Sequence, residues 1–111
     1  NGLNIRYYLS AIDFAKALCL LVVKKDKGIF NIGSNFFEKN INIAKTICKI
    51  LKKDPNKYIK YVKDRPYNDK RYSVSSTKIR KLGWSPKENL IKDLPMIIDW
   101  YKKNPKILKK I

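Results

Sequence analysis

The longest uninterrupted apolar run in this chain, Ala17 to Val23, is seven residues. Elsewhere apolar side chains recur at the spacing of short elements that bury one face each. A bilayer-spanning helix needs about 20 apolar residues, so none can be built here. The 111 residues suffice for one hydrophobic core, and 44% hydrophobic with 12% aromatic content argues against disorder. The whole of 1–111 is read as a single region.

The periodicity predicts a mixed α/β chain. Ile5, Tyr7 and Leu9 alternate with polar neighbours from Asn4 to Ser10, the pattern of a half-buried strand. Asp13 then heads a helix whose face carries Phe14, Ala17, Leu18 and Leu21 and which ends near Lys24-Lys25-Asp26. A short strand, Ile29 to Ile32, lies between Gly28 and Gly33, and Ser34-Asn35 makes a polar turn. A second helix runs from Asn40 or Asn42 to Lys53 and is stopped by Asp54-Pro55-Asn56. Tyr58 to Val62 reads as a further strand and Arg71 to Val74 as extended. Ser75 or Ser76 caps a short helix through Leu82, with Gly83 after its end. The last helix spans about Leu90 to Lys103, where Pro95 demands either a start near Asp93 or a kink.

Several chemistries fall on composition alone. With no histidine, there is no Ser-His or Cys-His nucleophile pair and no His-ligated metal. Cys19 and Cys48 are too few for a thiolate zinc site or a disulfide framework. Both sit among apolar residues at helical spacing, so buried, reduced thiols in a cytoplasmic protein are expected. The opening Asn1-Gly2-Leu3-Asn4 lacks the build of a signal peptide and the only methionine is Met96, which suggests a piece of something longer.

The chain carries 26 Lys+Arg against 9 Asp+Glu, a formal charge of +17. Of these cations 22 are Lys, accompanied by 15 Ile and 10 Asn, the residues that A/T-rich codons favour. The lysines are scattered apart from pairs such as Lys24-Lys25, Lys52-Lys53 and Lys109-Lys110. Nucleic-acid readers concentrate their cations on one face and lean on Arg, so the charge is read as solvated surface.

The chemistry-bearing stretch is Tyr61 to Gly83, a polar loop with Asp64, Arg65, Asn68, Asp69 and Arg71 around the stiff Pro66. Loops of this make-up carry binding more often than packing. An Arg beside a proline offers a planar fork of donors to a phosphate. Equally, Arg65 and Arg71 can pair with Asp64 and Asp69 to hold the loop, and the residues alone leave both readings open.

That stretch, followed by Leu82-Gly83-Trp84 and Pro86, resembles the C-terminal signature of the nucleotide-sugar 4,6-dehydratases, which are extended short-chain dehydrogenase/reductase enzymes. Ile5-Arg6-Tyr7-Tyr8-Leu9 with Asp13, Gly28-Ile29-Phe30-Asn31-Ile32-Gly33, and Asp99-Trp100-Tyr101 with Asn104 are similar to further landmarks of that family, in the same order. The resemblance implies the C-terminal, sugar-nucleotide-binding portion of a Rossmann-type enzyme. By position, Arg6 and Arg65 would grip the diphosphate, while Asn40 and Asp64, Arg65, Pro66, Tyr67 and Asn68 would line the nucleotide pocket. Asp69, Arg71 and Tyr72 would be loop scaffolding. Asn68 stands where bacterial dTDP-glucose enzymes tend to have His, and Pro66-Tyr67-Asn68-Asp69 looks closer to UDP-glucose enzymes of rhamnose synthesis, which leaves the base open.

The implied parent is an NAD-dependent, cytoplasmic, homodimeric lyase that oxidises glucose at C4, eliminates water across C5 and C6, and returns the hydride to C6. Its NAD would be held by an N-terminal half outside this chain. The four glycines, Gly2, Gly28, Gly33 and Gly83, form no dinucleotide-binding turn, and no tyrosine is followed four residues later by Lys. This chain alone therefore has no catalytic or cofactor-binding residues of that kind. Rival readings are a nucleotide-sugar epimerase or decarboxylase of the same superfamily, a basic nucleic-acid-binding module, and a remnant kept for protein contacts; Asp69-x-Arg71-Tyr72 and Trp100-Tyr101 favour the dehydratase.

Overall fold

A computed structural model describes residues 2–108; Asn1 and the Lys109-Lys110 pair lie outside the described residues. The alternating N-terminal segment forms a strand of three residues, β1 (Ile5–Tyr7). It pairs antiparallel with β2 (Phe37–Lys39), Arg6 opposite Glu38 and Tyr7 opposite Phe37, the two rings 5.3 Å apart. Sequence periodicity misses β2 because three residues show no alternation, and what makes them a strand is the presence of β1 alongside.

The first helix, α1 (Ala11–Lys24), starts earlier than expected because Ser10, read as strand, is its N-cap and accepts from the Ile12 amide. Asp13 thereby falls in the first turn and is 1% exposed. Its Oδ2 accepts the Lys87 amide at 2.9 Å and the Glu88 amide at 2.8 Å, while its carbonyl accepts the Trp84 indole N–H at 3.0 Å. A carboxylate is favoured at a helix N-terminus, and two charge-assisted hydrogen bonds offset its burial. Trp84 is thus fixed in the core with Ala17 and Ile79, and Leu9, Leu20, Leu21, Phe30 and Ile32 pack around them.

The Gly28–Gly33 segment turns Phe30 and Ile32 to that core and leaves Ile29 exposed. It is not a strand, because among the described residues no neighbour pairs with it. Gly33 is required for close approach: a Cβ there would lie 2.6 Å from the Val74 side chain. The Ser76 hydroxyl binds both the Gly33 amide and carbonyl, at 2.7 and 3.2 Å.

Helix α2 (Asn40–Ile50) buries Ile43 and Cys48 and has Lys39, not Asn40 or Asn42, at its N-cap position. Asp54-Pro55-Asn56 begins a new turn instead of only ending a helix: Asp54 caps α3 (Pro55–Tyr58), with Pro55 at its start. The strand expected over Tyr58 to Val62 is absent. Tyr58 closes α3, and residues 59–63 have no partner strand among the described residues, with Tyr61 and Val62 exposed. Helix α4 (Thr77–Arg80) is shorter than expected, and Gly83 follows it at φ +99°. Ser76 does not cap it by side chain, its hydroxyl being committed to Gly33. Helix α5 (Leu90–Lys103) has the expected bounds, an Asn89 cap, and Leu94 and Ile98 buried; Pro95 lies within it, beyond the first turn, at the loss of one backbone donor. A last turn, α6 (Pro105–Leu108), follows.

Of the two thiols Cys48 is buried as expected, but Cys19 is exposed because the covered face of α1 runs through Asp13 and Ala17. No helix among the described residues is long and apolar enough to cross a membrane.

The tie at Asp13 gives a stability expectation. Asp13→Ala removes two hydrogen bonds to a charged acceptor and should lower the unfolding free energy by about 3 kcal/mol. Asp13→Asn keeps a neutral acceptor for Lys87 and Glu88 and should lose less than half of that, as read from urea midpoints at unchanged slope.

Candidate functional site

Strand β1 carries Arg6, and the 64–72 loop is laid along that strand. The Ile5 amide donates to the Lys70 carbonyl at 2.8 Å, Ile5 and Arg71 form an isolated parallel bridge, and the Asn4 side chain reaches the Asp69 carbonyl at 3.3 Å. Arg6 donates to the carbonyls of Ile5 (2.8 Å) and Asp69 (3.0 Å) and to Asn68 Oδ1 (2.9 Å), and its guanidinium sits 4.6 Å from the centre of the Tyr72 ring. Arg65 reaches the same Asn68 oxygen at 3.3 Å. The two arginines therefore converge on one acceptor.

Asn68 is in turn oriented by Asp64, whose Oδ1 accepts the Asn68 amide group at 2.7 Å and the Arg65 backbone N–H at 2.8 Å. These bonds, the Asn68 one foremost, hold the Asp64 carboxyl below its ordinary range. Arg71 belongs to the scaffold: it donates to the Tyr7 hydroxyl and lies over the Tyr7 and Phe37 rings. Its hydrogen bond lowers the Tyr7 phenol from the ordinary value. Neither loop arginine is ion-paired with Asp64 or Asp69; the ion pairs among the described residues are Lys16–Glu88 and Lys102–Asp99.

Beside Asn68 opens a pocket of about 270 Å³ between the start of α2 and the 59–64 segment. Ile41, Ala44 and Ile59 supply apolar wall, and Asn40, Asp64 and Asn68 supply polar groups. Asn40 is held by the Tyr8 hydroxyl, which it accepts at 3.2 Å, and by its own amide on the Asn4 carbonyl. Of the residues expected at the site, Asn40, Asp64 and Asn68 line this pocket, and Arg6 and Arg65 reach it through Asn68. Pro66 and Tyr67 do not line it, and Tyr67 is 95% exposed. Sequence reasoning missed Asn4, Ile41 and Ala44; the offset of Ile41 from the buried face of α2 was the available signal.

Among the described residues no cluster of His, Cys, Asp or Glu could hold a metal ion. Nor do these residues fit a dinucleotide pyrophosphate. No glycine lies at a helix N-terminus, where Ser10, Lys39 and Asn89 stand before α1, α2 and α5.

No family model matches the chain. It is 38% identical over 106 residues to an Arabidopsis thaliana trifunctional UDP-glucose 4,6-dehydratase/UDP-4-keto-6-deoxy-D-glucose 3,5-epimerase/UDP-4-keto-L-rhamnose-reductase, covering 95% of this chain and 16% of that protein. It is 40% identical over 116 residues to an Escherichia coli dTDP-glucose 4,6-dehydratase, covering 94% of this chain and 32% of the relative. The crystal structure of the Streptomyces venezuelae dTDP-glucose 4,6-dehydratase with NAD and TYD bound superposes with a TM-score of 0.84 at 27% identity, over 94% of this chain and 33% of that one. The chain thus spans about a third or less of the length of these relatives.

Because the Asp64 carboxyl is held low in the folded chain, its hydrogen bonds are fully present above the ordinary Asp value of about 3.9 and are lost only as pH falls through the lowered value. The Arg65 amide resonance should report that midpoint, and Asn68→Ala should move it upward toward the ordinary one.

Proposed function

We propose that this chain, related along about 95% of its length to part of the nucleotide-sugar 4,6-dehydratases, is the sugar-nucleotide-binding portion of such an enzyme. One observation carries the reading: Arg6 and Arg65, from a strand and a loop 59 positions apart in sequence, put guanidinium donors on a single oxygen at the edge of a pocket. Two planar donors meeting at one acceptor are the chemistry of an anion site, and the Asn68 carboxamide oxygen stands where a phosphoryl oxygen would take both. The adjoining pocket, apolar on one wall and lined by Asn40 and Asp64, offers a nucleoside the surfaces and hydrogen bonds it needs.

In this reading residues 1–111 form one binding region at the C-terminal end of a parent that forms an NDP-4-keto-6-deoxyglucose. Dehydration and the NAD site lie outside the chain, in accord with the misfit noted above. A cytoplasmic parent suits the two free thiols, and homodimerisation through surfaces outside this region follows the family resemblance.

Two expectations test the binding role in the polypeptide that its source cell produces. Arg6→Ala should weaken UDP or dTDP binding about 10- to 100-fold by calorimetry, the loss of a hydrogen bond between charged groups. Asn68→Asp should abolish it, since a fixed carboxylate would occupy both arginines. Absence of nucleotide binding, or no loss of water from either UDP-glucose or dTDP-glucose with NAD supplied, overturns the reading; interconversion without loss of water assigns the epimerase. A basic nucleic-acid module would instead show a steep salt slope and no competition by UDP.

A further inference from the structure

One contact at the pocket fixes a polarity as well as a position. Asn40 is the first residue of α2 and lines the pocket together with Asn68. A carboxamide has two ends of opposite character, an oxygen that accepts and an NH2 group that donates. Which end meets a ligand is decided by what holds the other.

Left to itself, the Asn40 oxygen would be drawn to the backbone of its own helix. The first turn of a helix leaves N–H groups without intrahelical partners, and a short carboxamide bonds such groups readily. In α2 the competition is small, because the first turn has no acidic residue and Lys39, at the N-cap position, makes no side-chain cap. The oxygen nevertheless goes elsewhere, to the Tyr8 hydroxyl at 3.2 Å.

Tyr8, the residue after β1, is held for this task. Its backbone amide donates to the Phe36 carbonyl at 3.1 Å, and its ring lies 6.3 Å from the Phe36 ring. Burial raises its phenol from the ordinary value, so the hydroxyl keeps its proton. A neutral phenol donates that proton wherever an acceptor is in reach, and the acceptor it meets is Asn40 Oδ1. Turning the carboxamide over would place NH2 against the phenol oxygen and leave the phenol proton unspent, at the cost of an unmade hydrogen bond.

From this geometry we propose that Tyr8 is a positioning residue of the nucleotide pocket: its hydroxyl takes the Asn40 oxygen, so that Asn40 meets the ligand as a fixed NH2 donor. The inference rests on the sugar-nucleotide reading and adds to it. The group that Asn40 recognises is then an oxygen acceptor of the nucleotide, in keeping with a ligand rich in phosphoryl, hydroxyl and carbonyl oxygens. Because the carboxamide is oriented before the ligand arrives, binding does not have to order it.

A double-mutant cycle in the polypeptide that its source cell produces tests the role. Tyr8→Phe removes the hydroxyl and keeps the ring against Phe36; it should weaken UDP binding about 3- to 10-fold by calorimetry. In an Asn40→Ala background the same change should cost less than about 2-fold, since the group that Tyr8 positions is gone. Asn40→Asp keeps an acceptor for Tyr8 and loses the donor, so it should bind UDP no better than Asn40→Ala. Unchanged UDP binding in Tyr8→Phe overturns the inference. So does an equal cost in both backgrounds, which would make Tyr8 a packing residue only, and so does an Asn40→Asp variant that binds UDP like the unmutated polypeptide. These results leave the binding role standing, whereas an unmutated polypeptide that binds neither UDP nor dTDP overturns the binding role and this inference with it.

Discussion

The buried carboxylate of Asp13 is the joint on which the rest of this structure depends. It sits where the α1 dipole favours a negative charge, and it receives two backbone amides from residues more than 70 positions later. The carbonyl of the same residue receives the indole N–H of Trp84, so one residue fixes both the start of α1 and the turn that leads to α5. Without that joint the small cluster of Ala17, Ile79 and Trp84 has little else to close it, since most large apolar side chains here are only partly covered. The interaction is polar and directional, which sets the geometry of a core too small to set it by volume alone.

The site depends on a second joint, between β1 and the 64–72 loop. A loop of that length with no secondary structure would ordinarily be mobile. Here Asn4, Ile5, Arg6 and Tyr7 each bind it, and the interleaving is reciprocal: Arg6 lies over Tyr72 of the loop, and Arg71 of the loop lies over Tyr7 of the strand. That exchange explains why Asp69, Arg71 and Tyr72 act as scaffold while Asn68, one residue earlier, lines the pocket and receives Arg65 on its oxygen. Asn68 is the pivot because a carboxamide both accepts and donates: its oxygen gathers two cations and its nitrogen is anchored on Asp64.

How much of this was legible in sequence follows from range. Helix α5 was legible to its bounds because helical periodicity is local, but of the face expected on α1 only Ala17 and Leu21 find cover, while Phe14 and Leu18 are exposed. Of the strands β1 was legible from its alternation and the others were not, because a strand exists only through its partner: Ile29 to Ile32 and Tyr58 to Val62 have strand-like composition and, among the described residues, no neighbour, whereas Phe37–Lys39 has no pattern and a neighbour in β1. Cys19 was misjudged for a related reason, since an apolar periodicity says which residues seek cover and not which find it. At the site, residue identities came from motif order, but that Arg65 turns to Asn68 and Arg71 to the Tyr7 hydroxyl, instead of to Asp64 and Asp69, required the loop's path along β1.

The converging arginines and helix α1 are linked by chain length. Arg6 lies on β1 and Ser10 caps α1, so at most about 14 Å of extended chain separates the anion site from the first turn of that helix. The exposed apolar side chains of α1 and the pocket are thereby joined through one short stretch of chain.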